Sequence, residues 1–175
     1  MRATIVLTLI GDDRPGLVEA LSQTLSEHEA NWEESRMASL AGKFAGILQA
    51  TVPSSRADSL LAALRALERN GLHLHAERCG QPEREGRQHL VLELLGQDRP
   101  GIVRDISRVL ASLGVNVEEL TSLCEHASMA GGDLFRARAV LSLPEALDPE
   151  ELRHSLESIA DELMVDISLE DQALA

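Results

Sequence analysis

The chain has 175 residues, 44% of them hydrophobic and 26% charged, with a formal charge of −13. This describes a globular protein of one or two domains, and one Trp, two Phe and no Tyr leave the core to Leu, Val, Ile and Ala. Sixteen basic against twenty-nine acidic residues argue against a nucleic-acid-binding face and against docking on anionic membrane, both of which need clustered cations.

The first predicted element is a β-rich, mostly apolar strand over residues 3–9. A loop follows, with Pro15 expected in the first helical turn, where its missing N–H is not needed. Leu17, Val18, Leu21 and Leu25 then stand at helical spacing. Residues 31–38 read as a polar edge strand and residues 44–52 as a second apolar strand. Pro53-Ser54-Ser55 opens a helix carrying Leu60, Leu61, Leu64 and Leu67. Asn70-Gly71 stops it, and residues 72–76 form the closing strand.

The second half repeats this order. Residues 90–95 form a strand, and Ile102, Val103, Ile106, Val109, Leu110 and Leu113 mark a helix that Gly114 ends. Strands are expected over 115–123 and 134–143. Asp148-Pro149-Glu150-Glu151 starts a helix, with Asp as cap, Pro at the first position and Glu three after the cap. Leu152, Leu156 and Ile159 line it, and residues 163–169 form the last strand.

The two halves are copies. Gly11-Asp12-Asp13-Arg14-Pro15-Gly16-Leu17-Val18 returns as Gly96-Gln97-Asp98-Arg99-Pro100-Gly101-Ile102-Val103, identical at six of eight positions and offset by 85. The same offset aligns Leu25 with Leu110, Asn31 with Asn116 and Glu33-Glu34 with Glu118-Glu119. It then grows to 91, aligning Phe44 with Phe135 and Pro53 with Pro144. About six extra residues are therefore expected within Cys124 to Gly132.

The expected fold class is α+β: two tandem ferredoxin-like βαββαβ units, each an antiparallel sheet with both helices on one face. The first unit spans 1–78, a linker 79–87, the second unit 88–170 and a tail 171–175.

Function points to the loop between first strand and first helix of each unit. A helix N-terminus presents unpaired N–H groups and partial positive charge to a carboxylate. Gly16 and Gly101 leave the backbone open to approach. Asp13 and Asp98 could hold an ammonium group, or serve only as caps in a tight strand-to-helix turn.

Asp-Arg-Pro-Gly after an apolar strand, an amphipathic helix, then Asn31 or Asn116 at the next strand resembles the ACT-domain family, over essentially the whole chain. The resemblance implies an amino-acid sensor without catalytic activity, with its ligand between two units. The Gly16-Leu17 and Gly101-Ile102 amides would take the ligand carboxylate. Asp12, Asp13 and Asp98, with Asn31 and Asn116, would surround its amino group. The copies differ at Asp12 against Gln97 and at Trp32 against Val117, so the sites are expected to be unequal.

A tandem pair without other segments is similar to ACT regulators that repress transcription of glycine cleavage. Its implied partners are a small amino acid such as glycine and a DNA-binding transcriptional regulator protein, without direct nucleic-acid or membrane contact. Edge strands make a homodimer plausible. A scaffold with idle pockets is the alternative.

Other signals are weaker. His73 and His75 share a strand face but lack further ligands at a recognised spacing. Cys124-Glu125-His126 lacks an orienting third group for catalysis, and with the insertion through Gly132 it could instead form a partner-binding loop. No dinucleotide, Walker or nucleophile-elbow motif is present, so no cofactor is expected. No apolar run approaches the roughly 20 residues of a membrane span, and residues 1–10 lack secretory-signal features. With two cysteines, Cys79 and Cys124, and no disulfide framework, the expected compartment is the cytoplasm.

Overall fold

A computed structural model describes residues 1–80, 88–127 and 132–171. Most of the expected linker, the tail after 171, and the middle of the expected insertion lie outside them. The chain divides into two compact units, Met1–Glu83 and Arg84–Ala175.

In the first unit, β1 (Arg2–Asp12), α1 (Leu17–Glu27), β2 (Asn31–Leu40), β3 (Lys43–Pro53), α2 (Ala57–Ala66) and β4 (Leu72–Cys79) follow in order. Short 3-10 turns flank α2. The second unit repeats this with β5 (His89–Gln97), α3 (Ile102–Ser112), β6 (Asn116–Ala127), β7 (Gly132–Ser142), α4 (Pro149–Leu163) and β8 (Val165–Asp171). The sheets have the orders β2-β3-β1-β4 and β6-β7-β5-β8, and every pairing is antiparallel. These are two tandem ferredoxin-like units.

Strand periodicity builds each core. Ile5, Leu7 and Leu9 alternate inward on β1, beside Leu48, Ala50 and Val52 of β3, and meet Leu21, Leu25, Leu60 and Leu64 from the helices. Leu90, Leu92 and Leu94 do the same against Ile106, Leu110, Leu152 and Leu156.

The helix starts differ from expectation. Pro15 and Pro100 lie outside α1 and α3, whose N-caps are Gly16 (φ 92°, ψ −3°) and Gly101 (φ 102°, ψ −7°). These angles fit the third position of a type II turn, which follows proline and demands positive φ. Leu163 belongs to α4, continuing the buried stripe of Leu152, Leu156 and Ala160. Met164 breaks the helix in the left-handed region (φ 52°), and β8 begins at Val165.

The two hairpins differ in length. Ala41 (φ 50°) and Gly42 (φ 78°) join β2 to β3, as a two-residue turn with both residues at positive φ does. Between β6 and β7 the ladder runs on to Ala127↔Gly132. Leu123 to His126 are therefore strand residues, and residues 128–131 of the expected insertion lie outside the described residues.

Candidate ligand-binding site

Each candidate site begins where β1 or β5 hands the chain to α1 or α3. The first intrahelical bonds are Ala20 N–H to Gly16 O and Asp105 N–H to Gly101 O, both 2.9 Å. The three amides ahead of each thus have no carbonyl in their own helix. Neither helix has a side-chain cap. Asp13 and Asp98 stand three residues before these N-caps, and the backbone of each is held by the neighbouring hairpin. Asp13 N–H donates to Gly42 O at 2.9 Å, and Asp98 N–H to Asp133 O at 2.7 Å. Asp13 Oδ2 also accepts from Ser39 Oγ at 2.5 Å.

Around Gly16 the surface is open. A Cβ there would meet nothing within 4 Å, and the adjoining cleft is lined by Arg14, Leu17, Leu67, Arg69 and Leu72. A helix N-terminus beside two guanidinium groups favours a carboxylate. Asp12 pairs with Lys43. The Lys43 ammonium, through its hydrogen bond and then its charge, holds that carboxyl below the usual carboxylate range.

The second unit is built differently at the same place. A Cβ on Gly101 would meet Arg104 Nη2 at 3.0 Å. Arg104 donates twice to Asp105, from Nε at 2.8 Å and from Nη2 at 3.1 Å. Arg99, the counterpart of Arg14, donates to Glu162 O at 3.1 Å. Here the first turn carries an ion pair where the first unit has Glu19 and Ala20.

Asn31 and Asn116 do not join these loops within their own units. Asn31 pairs with Thr51 at one end of β2, while Ser39, which touches Asp13, lies at the other. At about 3.3 Å per residue the two are roughly 25 Å apart along the strand. Asn31 Nδ2 donates to Glu33 Oε1 at 2.8 Å, and Thr51 Oγ1 donates to the same oxygen at 2.7 Å. These two hydrogen bonds hold the Glu33 carboxyl below its ordinary range. Asn116 likewise starts β6, opposite Ser142.

Lys43, Ser39, Arg69 and the Arg104–Asp105 pair escaped the sequence reading. Only folding brings the first three to the loop, while the last was visible in the repeat alignment as a departure from Glu19-Ala20. His73 and His75 stand exposed on edge strand β4. Among the described residues no three His, Cys, Asp or Glu side chains converge on a metal position, and no helix is long and apolar enough to cross a membrane.

Comparison with known proteins gives this geometry a family. ACT-domain models match residues 3–77 and 90–150. A UPF0237 protein of Streptococcus mutans is 30% identical over 84 residues, covering 48% of this chain and 89% of that protein. One from Methanopyrus kandleri is 34% identical over 83 residues, covering 47% and 86%. The crystal structure of an unknown protein from Galdieria sulphuraria superposes with a TM-score of 0.84 at 30% identity, covering 99% of this chain and all of that one. A candidate glycine cleavage system transcriptional repressor gives 0.69 at 16% identity over 97% of this chain and 96% of that one, which establishes shared fold alone. The chain belongs to the ACT-domain family and carries two of its domains in tandem.

Proposed function

We propose that this chain is a non-enzymatic regulator that binds a small amino acid at its Arg-Pro-Gly loops and passes occupancy on to a partner protein. The observation that carries this is the uncapped start of α1 beside Arg14 and Arg69, an arrangement suited to a carboxylate. Family membership supports the sensing role.

A site combining a Gly-loop with an Asn needs two units. The two features stand at opposite ends of one edge strand, so a second edge strand laid antiparallel alongside would bring its Asn to the first unit's loop. The ligand would then bridge two units, and its binding would be linked to their association.

Repression of glycine cleavage is the biological role we assign, by analogy with the 16%-identical neighbour. With a charge of −13, the chain would act by holding a DNA-binding regulator rather than by touching DNA. The scaffold alternative draws on the internal pairing of Asp12 with Lys43 and Asp13 with Ser39, which leaves the acids satisfied without ligand.

Calorimetric titration of the intact protein with glycine and the other amino acids tests the proposal. Saturable binding that Gly16→Asn weakens is expected, since Asn tolerates positive φ and covers the amides. Folded protein that binds none of them would sink the sensing role and leave the scaffold.

A further inference from the structure

The geometry points to the groove between α3 and β6 as a pocket for a branched aliphatic side chain, making the second unit's ligand valine- or leucine-like rather than glycine. This rests on the reading of the α3 N-terminus as a carboxylate site. The groove begins at that N-terminus: Ile102 and Val103 line one end, with Ile106, Val117, Leu120 and Ala139 further along. Among the described residues Ser107 is its sole polar wall, and no charged side chain lines it. A ligand held by its carboxylate at Gly101 would meet this apolar surface with its side chain.

Size narrows the class. At about 40 Å³ the cavity is well below the roughly 150 Å³ of an apolar cavity that takes a benzene ring, so it suits a compact aliphatic group better than an aromatic one.

The first unit supplies the contrast. Irregular pairing at Trp32/Glu34 and at Val117/Glu119 keeps Trp32 and Val117 in rows with core residues, beside Ala50 and Leu141. Trp32 and Met37 pack against the first core, and Leu48 stands where the second unit has Ala139. Val117, Ser122 and Ala139 replace Trp32, Met37 and Leu48. Leu120 for Ser35 and Ala137 for Gly46 refill only part of the space. Roughly nine fewer side-chain heavy atoms remain in the second unit, which is how a packed edge becomes a pocket.

Methyl NMR on the full chain tests this, titrating leucine, valine, phenylalanine and glycine while following Ile102, Ile106 and Leu120. Leucine or valine should give saturable shifts, and Ala139→Leu should weaken them at least tenfold. Val117→Trp, at an exposed edge, provides a second filling variant should Ala139→Leu misfold. No saturable shift with either aliphatic amino acid, undiminished binding in a folded filling variant, or equal binding of phenylalanine overturns the inference. Glycine binding without aliphatic binding leaves the sensing role intact and removes the pocket. Aliphatic binding lost on filling but unchanged by Gly101→Asn keeps the pocket and removes the carboxylate placement.

Discussion

Ser39 Oγ donates to Asp13 Oδ2 at 2.5 Å, and Cys124, at the matching place on β6, faces Asp98. The pairing register confirms the match: Ser39 sits opposite Phe44, and Cys124 opposite Phe135. The duplicated acid therefore met a hydroxyl in one copy and a thiol in the other. Each contact ties a Gly-loop to its edge strand.

The chemistry of the thiol follows. Desolvation first, then the carboxylates of Asp98 and Asp133, push the Cys124 thiol above its ordinary range. Less thiolate is present at neutral pH, and the thiolate is the nucleophile. In a Cys79→Ser background, Cys124 should alkylate more slowly than a free cysteine. Asp98→Asn should speed it by removing the nearer charge. Measuring iodoacetamide rates against pH checks this, and a fast reaction at pH 7 in the parent would count against the assignment.

The turn glycines make a sharper claim. Gly16 and Gly101 hold φ near +92° and +102°, where a Cβ costs about 1–2 kcal/mol. Gly16→Ala has open space around its new Cβ, so it should lose about that amount through backbone strain alone. Asn should be better tolerated than Ala at the same place. Urea denaturation of Gly16→Ala and Gly16→Asn gives the comparison, and an order with Ala the more stable would contradict the turn geometry.

Gly96 is small for a different reason. An added Cβ would come within 2.4 Å of Val165 Cγ1 and 3.1 Å of its Cα, a collision between β5 and β8 that involves backbone. Gly96→Ala should cost about 1–3 kcal/mol as overpacking. Val165→Ala should recover part of it, because the nearest clashing atom is the valine methyl. A double-mutant cycle reads that coupling. Additive losses would mean that the strands had simply shifted apart.

The fold was legible because it is written twice. Leu21 with Ile106, Leu25 with Leu110, and the Gly-loops share one offset, and each apolar stripe has the period of its element. The site was only half legible. Asp13 read as an ammonium ligand or a cap, yet its backbone N–H is bonded to Gly42 O, an atom that only the folded hairpin brings near. Asn31 entered the site only through the family resemblance; as the first residue of β2 it stands at the strand end away from the Gly16 loop of its own unit. Leu163 has strand propensity on neither side; its place in α4 follows from the buried stripe running one step further.

Electrostatics around Asp12 should titrate. Its carboxyl is depressed by Lys43, so the folded-state pKa lies below the unfolded one. Whatever stability the pair contributes is present above the unfolded carboxylate pKa of about 3.9. It is lost as pH falls through the lower folded value. Lys43→Met should return the Asp12 pKa toward its ordinary value in an NMR titration, with little effect on stability at pH 7 because the pair is exposed and screened.

Asp148 gives α4 the side-chain cap that α1 and α3 lack: its Oδ1 accepts from Glu150 N–H at 2.9 Å, with Pro149 following. Asp148→Ala should cost about 1 kcal/mol, whereas Asp13→Ala should lose only the Ser39 contact and leave α1 no less capped than before. The contrast separates an acid that caps its helix from one that leaves its helix start uncapped. Denaturation midpoints for the two variants, together with amide exchange at residues 17–19 and 150–152, measure it. Faster exchange at 150–152 in Asp148→Ala, with 17–19 unchanged in Asp13→Ala, is the expected pattern. Protection lost at 17–19 in Asp13→Ala would show that Asp13 caps α1 after all, and the amides assigned to a ligand carboxylate would then belong to the protein's own side chain.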